Sequence, residues 1–441
     1  MKRAVLAAIL TLAAPPAFAA TQIHWTIMGQ TAVSFDWVGS ETKIYYSTVK
    51  GRVSTLQAGV DSATSFTPLP LPWNEVSTFA EARITGLTEN TLYYYKIGAA
   101  AESALVHTFR TPPPRGSSGF TIAVAGDMGD TLHYAGLVAG VNDLILASQP
   151  RFVLLVGDLT YANGGSSHNG ACITRHFNNV MKWSQDAAYM PAWGNHEWDK
   201  CSSTDASYFK DDLRNYKGRF DLPNPKTDPH LNSSASGWCS GNNGVGEDWY
   251  WFDYGNARFI AFPEPLASNN STRAWRDTAS ALMESVRNDP DIKFVVVFGH
   301  RQIYSSGHHD GVGTGSFAGF VDTLRARHPK FVLFLNGHSH NYERTNVMRG
   351  QLTYITSGGG GGNLDDETTS CGWMICPQPD WSAYRAFATG PTILTFESNR
   401  IVGKQLCGPQ DDIPNQLDCT LGTEIDAFTI AASECACAVP N

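Results

Sequence analysis

The sequence is poor in charge, and poorest in positive charge. Of 441 residues 17% are charged, with 32 Lys and Arg against 41 Asp and Glu. A formal net charge of −9 is the wrong sign for a surface that grips nucleic-acid backbone or anionic lipid. Beyond the first twenty residues no apolar run approaches the roughly 20 residues that span a bilayer. There is no internal repeat, so solenoids and propellers drop out. The cysteines do not fall in zinc-finger spacings. What remains is a globular chain, 42% hydrophobic and rich in glycine, long enough for two or three domains.

Residues 1–19 read as an export signal. Lys2-Arg3 form the positive start, Ala4 to Ala14 the apolar segment, and Ala17-Phe18-Ala19 the cleavage site. The expected location is therefore secreted or periplasmic, with no membrane anchor after cleavage. Nine cysteines fit an oxidising compartment. Cys371 with Cys376 is the easiest pair to propose, and Cys407 with Cys419 is plausible. Cys172, Cys201 and Cys239 are candidates to bridge loops, and Cys435 and Cys437 stand too close to pair with each other.

Residues 20–111 alternate apolar and polar positions in short segments separated by turns, as in Thr31–Trp37, Lys43–Tyr46, Ala82–Ile84 and Leu92–Ile97. This is the pattern of a small antiparallel sandwich. The stretch from Leu87 to Tyr95, with Phe109 to Pro112 at its close, resembles a fibronectin type III domain. Residues 112–119 (PPPRGSSG) read as a linker. From residue 120 to 441 strands alternate with helices. Helical spacing covers Ala135–Ala147 and Ser271–Val286, the latter with Ser271 or Thr272 as N-cap. Residues 248–262 read as two strands joined at Tyr254-Gly255-Asn256, and Ile393–Phe396 and Ile425–Ile430 as closing strands. Residues 200–247 are polar and rich in Gly, Ser and Asn, a long excursion of the kind that forms functional rims.

The most informative pattern recurs five times. An apolar run ends in or near Gly and is followed by a residue able to hold a metal. The residues are Asp127, Asp158, Asn195 with His196, His300, and His338 with His340. Such runs read as buried strands of an α/β sheet, whose ligands bind beyond the carboxyl ends of the strands. Carboxylates, an amide oxygen and imidazoles together suit a pair of metal ions about 3.5–4 Å apart, a clamp for displacement at phosphorus. Tyr161 adds to this. A neutral phenol with a pKa near 10 is a poor ligand, but a hard trivalent cation deprotonates it, so Tyr161 points to Fe(III).

The blocks Gly126-Asp127-Met128-Gly129, Gly157–Tyr161, Gly194–Glu197, Val297–His300 and Gly337–His340 resemble the five-block signature of the purple acid phosphatases, which are calcineurin-like metallophosphoesterases. Asn341-Tyr342-Glu343-Arg344 continues the likeness. The resemblance implies a four-layer α/β fold, two central β-sheets flanked by helices, preceded by an all-β fibronectin III-like sandwich. It further implies that Asp127, Asp158, Tyr161 and His340 hold Fe(III). Asp158 would bridge to a second divalent metal, Fe(II), Zn(II) or Mn(II), completed by Asn195, His300 and His338. His196 and the pair His308-His309 take substrate-facing, catalytic positions, and Glu197 lies behind the ligands. The implied activity is hydrolysis of a small phosphomonoester by hydroxide generated at the metal pair. Gln302 departs from the family, which usually has Pro there.

Taken singly, these residues have ordinary readings: Asp127 and Asp158 as helix N-caps, Tyr161 as a packed aromatic, His308-His309 as a solvated pair. Five blocks in order outweigh them. Alternatives are a phosphodiesterase or nucleotide pyrophosphatase of the same superfamily, redox chemistry at iron, and, from another class, an adhesion or interaction protein working through residues 20–111.

Overall fold

The computed structural model describes residues 20–68, 78–99, 105–129, 134–161, 170–197, 214–227, 247–264, 269–309, 311–312, 316–346, 352–365, 369, 371–411 and 413–433. The segment expected to be an export signal, most of the 200–247 excursion, and Cys201, Cys239, Cys435 and Cys437 lie outside the described residues.

The N-terminal part consists of two antiparallel sheets. One has the order β1 (Thr21–Gly29), β2 (Ala32–Val38), β5 (Phe79–Ile84). The other runs β4 (Asp61–Thr64), β3 (Lys43–Ser47), β6 (Leu92–Ile97), β7 (His107–Arg110), with the short helix α1 (Lys50–Thr55) between β3 and β4. Inward aromatics lock the sheets face to face. Phe35 lies 4.6 Å from Tyr95 and 5.3 Å from Phe109, centroid to centroid, and Trp25 meets Phe109 edge-on at 6.0 Å. The alternation read in the sequence is this inward set, consistent with a β-sandwich.

The rest is built on two larger sheets. The first has six strands in the order β10 (Ala188–Ala192), β9 (Phe152–Val156), β8 (Phe120–Ala125), β20 (Thr392–Phe396), β21 (Arg400–Leu406), β22 (Glu424–Ala431). β10, β9 and β8 are parallel, and the others antiparallel. The second has seven strands in the order β11 (Trp251–Tyr254), β12 (Ala257–Ala261), β13 (Phe294–Phe298), β16 (Phe331–Asn336), β18 (Thr353–Ser357), β17 (Tyr342–Thr345), β19 (Ser382–Ala386), parallel from β12 to β18. A small pair, β14 (Tyr304–Ser305) with β15 (Gly311–Val312), sits beside it. Every residue of β9 and β13 is buried, as strands covered on both faces require. The sheets meet through aromatics: Phe152 on Phe252 and Phe259, Phe120 on Tyr254, Phe396 on Phe294.

Helices supply the outer layers. α2 (Ala135–Ala147) and α3 (Gly170–Ser184) are joined by Trp183 Nε1 donating to Asn142 Oδ1 at 2.6 Å, and Trp183 packs on Tyr189 of β10. α5 (Asn269–Glu284) and α6 (Ser316–Arg327) cover the other sheet through Trp275 and Phe317, which meet Phe262 and Phe334. The short α4 (Arg214–Lys217) precedes a connecting segment. The result is the four-layer fold expected. α2 has the expected bounds. α5 starts at Asn269, so Ser271 and Thr272, expected as its N-cap, fall inside its first turn. Two of the proposed disulfides are present, Cys371–Cys376 and Cys407–Cys419. Cys172 is buried in α3.

The sandwich joins the larger body by polar contacts. His24 Nε2 is 2.6 Å from Arg219 O, Thr26 Oγ1 donates to Asp221 O at 2.6 Å, and Tyr95 Oη donates to Gln185 O at 2.8 Å. Carboxylates crowd this seam. Asp36 is fully buried, and neither of its carboxylate oxygens has a hydrogen-bond partner. Burial first, then Glu81, Asp221 and Glu247, push its pKa well above the usual 3.8, and Arg219 only partly offsets them. The folded chain thus keeps a proton that the unfolded chain releases above pH 3.8. Stability attributable to this group falls as pH rises through that range. Asp36→Asn is expected to gain stability over the wild type progressively from pH 4 to pH 8, read from thermal melts. A difference that does not vary with pH would contradict this account.

Candidate metal centre

The Gly-ended strands create their turns by backbone geometry. Asp127, Asp158 and His338 occupy left-handed conformations, with φ of 58°, 49° and 72°. Such conformations cost non-glycine residues of order 1–3 kcal/mol and persist only where the surroundings impose them. Here Asp127 N donates to Gly157 O at 3.1 Å and Met128 N to Asp158 O at 3.0 Å. Two glycines are there for space. A Cβ on Gly157 (φ 88°) would stand 2.6 Å from His300 Cβ, and one on Gly194 would collide with Asp158 Oδ1. Close approach between the loops, more than turn chemistry, explains the recurring Gly.

The two sheets divide the donors. Asp127 follows β8, Asp158 and Tyr161 follow β9, and Asn195 follows β10, so the oxygens come from the six-stranded sheet. His300 follows β13, and His338 and His340 follow β16, so the nitrogens come from the seven-stranded sheet. Within each sheet these strands are parallel, which puts their carboxyl ends on one edge.

At that edge the donor atoms form two groups. Tyr161 Oη lies 2.7 Å from His340 Nε2 and 3.3 Å from Asp127 Oδ1, and the triangle closes with His340 Nε2 to Asp127 Oδ1 at 3.4 Å. In the second group His300 Nε2 is 2.9 Å from Asn195 Oδ1, 3.1 Å from His338 Nδ1 and 3.2 Å from Asp158 Oδ2. Asp127 Oδ2 also accepts from His338 N at 2.9 Å, tying the groups together.

Once deprotonated at Nε2, His300 and His340 set acceptor against acceptor in these contacts. His300 Nδ1 faces the carbonyl of Val156 at 3.1 Å, and His340 Nδ1 that of Asn363 at 2.6 Å. Those bonds fix the ring protons outward and aim the Nε2 lone pairs at the other donors. Burial lowers the pKa of both rings, yet the carboxylates more than reverse it. His300 is raised to about 10 by Asp158 and Asp127, and His340 to about 9 by Asp127 and Asp365. The pocket thus favours positive charge where the lone pairs meet. Donors about 3 Å apart are what ligand bonds of about 2.0–2.2 Å produce around one ion. The residues fit a pair of cations, one in each group. Asp158, His300 and His338 alone bring three ligand atoms within 4.8 Å of one another. Tyr161 is the exception to easy ligation: burial, then Asp127 and Asp158, hold its phenol well above 10, so only a strongly charged ion would take it as phenolate.

The candidate catalytic histidines separate. The ring of His196 is 4.2 Å from that of Tyr161, and its backbone N donates to Asp158 Oδ1 at 2.9 Å. His309 stacks on His338 at 4.0 Å and 13°. His308 is exposed and its ring meets that of His309 at 4.7 Å, one layer further from the donors. The two rings touch each other, and of the two it is His309 that stacks on a donor ring.

Several supports escaped the sequence reading. Asp365 accepts from His340 N at 2.8 Å. The run Gly358–Gly362 backs the Asp127 turn, Gly360 N donating to Gly126 O and Gly362 N to Asp127 O, each at 2.9 Å. Five consecutive glycines were the available signal. Glu197, expected behind the ligands, accepts from Leu159 N at 2.9 Å and Gly194 N at 2.7 Å, binding the second and third loops together. Gln302, in the place of the family's Pro, donates from its side chain to His309 O and so joins the fourth loop to the histidine pair. Arg301, unremarked in the sequence, sets Nη1 3.0 Å from His338 Nε2.

A calcineurin-like phosphoesterase family model matches residues 120–342, about half of the chain. Among curated relatives, purple acid phosphatase 15 of Arabidopsis thaliana is 26% identical over 365 residues, covering 72% of this chain and 65% of its own length. A phosphoenolpyruvate phosphatase of Allium cepa is 26% identical over 338 residues, covering 71% and 62%. The chain therefore spans just under two thirds of these relatives. Among solved structures, purple acid phosphatase PPD1 of yellow lupin superposes with a TM-score of 0.66 at 17% identity, over 94% of this chain and 74% of its own. PhoD superposes with a TM-score of 0.62 at 14% identity, over 95% and 90%. The fold, the donor set and the matched half of the sequence converge: this chain belongs to the calcineurin-like phosphoesterases, with purple acid phosphatases as its relatives.

Proposed function

We propose that the protein is an exported acid phosphatase that hydrolyses phosphomonoesters at a binuclear centre. The observation that carries this reading is the closed triangle of Tyr161 Oη, Asp127 Oδ1 and His340 Nε2 beside the His300-centred group. We assign Fe(III) to Asp127, Asp158, Tyr161 and His340, and a divalent ion, Fe(II), Zn(II) or Mn(II), to Asn195, His300 and His338, with Asp158 shared. When bound, the ions supply Lewis-acid charge and activate water as the nucleophile.

The chain's own residues do the rest. His196 and His309 flank the donor set at its two ends, next to Tyr161 and His338. In this reading they hydrogen-bond the phosphoryl oxygens and hand a proton to the leaving alkoxide. His308 would assist from the rim. Glu197 keeps the loops carrying Asp158 and Asn195 in register through its backbone contacts. The division into a signal at 1–19, a fibronectin-like unit at 20–111, a linker at 112–119 and a catalytic domain at 120–441 belongs to the same proposal. So does export, for which the two disulfides speak. Among the described residues no helix is long and apolar enough to cross a membrane.

The test is metal analysis with a visible spectrum. The purified protein should contain iron and show a broad tyrosinate-to-Fe(III) band, which Tyr161→Phe abolishes. A colourless protein carrying two zinc ions would overturn the iron assignment while leaving hydrolysis to be judged on p-nitrophenyl phosphate.

A further inference from the structure

We propose that Arg301 is a specificity residue that grips a second anionic group on the substrate, beyond the phosphoryl being transferred. This rests on the phosphatase reading above and narrows it to phosphate esters or anhydrides that carry an adjacent carboxylate or phosphate.

The side chain is anchored at one end. Its Nε lies 3.1 and 3.2 Å from the two oxygens of Glu264, whose side chain is 1% exposed, while the Arg301 side chain is 40% exposed. A buried carboxylate facing a single guanidinium edge fixes the direction of the whole group, since the guanidinium is planar and rigid. The other edge is left toward the centre. Nη1 meets His338 Nε2, and among the described residues Nη2 has no hydrogen bond. Nη2, with the remaining Nη1 proton, is left to meet carboxylate or phosphate oxygens.

Position sets the specificity. His338 turns Nδ1 inward to the donor group and Nε2 outward to Arg301. The guanidinium thus stands one imidazole width outside the inward donors, on the side where His309 stacks. A phosphoryl group seated at the centre, between His196 and His309, leaves Arg301 facing what is attached to it. An uncharged alcohol there gives the guanidinium nothing to pair with, whereas a carboxylate or second phosphate completes a charge-assisted bond. Arg301 is the fourth-loop residue next to His300, so the same turn that delivers a ligand also delivers this cation.

The experiment compares two inert ligands of the metal-loaded protein by calorimetry: methylphosphonate, and phosphonoacetate, which adds a carboxylate to the same phosphoryl group. The wild type should bind phosphonoacetate about tenfold more tightly, one charge-assisted contact's worth of discrimination. Arg301→Met should bind the two within about twofold, and Arg301→Lys, which keeps charge but loses the fork, should fall between. Metal content, read by mass spectrometry, should match the wild type in both variants. Equal affinities in the wild type, an unchanged preference in Arg301→Met, or loss of metal from both variants would each overturn the assignment; the last would make Arg301 a prop for His338. If the wild type hydrolyses p-nitrophenyl phosphate but does not distinguish the ligands, only the Arg301 inference fails. If it hydrolyses nothing and binds neither, the phosphatase reading fails with it.

Discussion

Asp158→Asn is expected to fold normally and lose at least about a thousandfold in kcat/KM, the scale of effects seen when charge stabilisation at a reacting centre is removed. The fold should survive because Asn tolerates the left-handed backbone as well as Asp does, and Asp158 sits at φ 49°. An amide oxygen can still accept from His196 N, as Asp158 Oδ1 does at 2.9 Å. What fails is the other side. Asp158 Oδ2 lies 3.2 Å from His300 Nε2, and an amide NH2 placed there occupies the lone pair that should face a cation. Burial works against charge on Asp158, and His300 and His196 more than compensate, so the group is anionic across the working range of pH. Removing that charge should also cost metal. Metals counted per chain should fall below the wild type, and the variant should still melt in one cooperative transition after chelation, at a lower temperature because His300 loses its buried partner. Full activity in this variant would remove Asp158 from the centre.

The second large effect is on stability. Lys217 Nζ meets Asp248 Oδ1 at 2.6 Å, with side-chain exposures of 0% and 2%. Lys217→Met keeps the length of the side chain but removes a buried ammonium that faces a buried carboxylate, and breaking such a pair typically costs about 3–5 kcal/mol. The exposed pair Lys182–Asp143 is a control at similar distance, with exposures of 38% and 61%. Lys182→Met should cost less than about 1 kcal/mol. Urea denaturation of both variants decides the matter: similar losses would mean that burial does not govern these pairs.

The parts legible in the sequence were those encoded by short-range pattern. Phe152–Val156 and Phe294–Phe298 announced buried strands, and each carried its candidate ligand within a few residues, so Asp158, Tyr161 and His300 could be named together. Alternation in Ala32–Val38 and Leu92–Ile97 announced the sandwich. Legibility ended where partners are far apart in the chain. Glu264 and Arg301 are 37 residues apart, and nothing local marks either as half of a pair. Asp365 stands 25 residues from His340. Asp36 looked like one polar position in an alternating strand, and only the meeting of strand and body makes it costly. His308-His309 looked equivalent because the sequence does not say which way each ring turns. Gln302 read as a lost proline, yet its amide takes up the work of bracing the loop.

Because every oxygen donor hangs from one sheet and every nitrogen donor from the other, an ion seated between them acts as a rivet through the interface. The spacing of the two sheets is set far from that rivet, by rings such as Phe152 against Phe259 and Phe120 against Tyr254. Trimming one of those rings lets the sheets settle closer and shifts carboxylates against imidazoles without touching either. Substitutions in the aromatic layer thereby become a means of tuning which ion the centre prefers. Metal loading, in turn, should register as stiffness in the packing between the sheets.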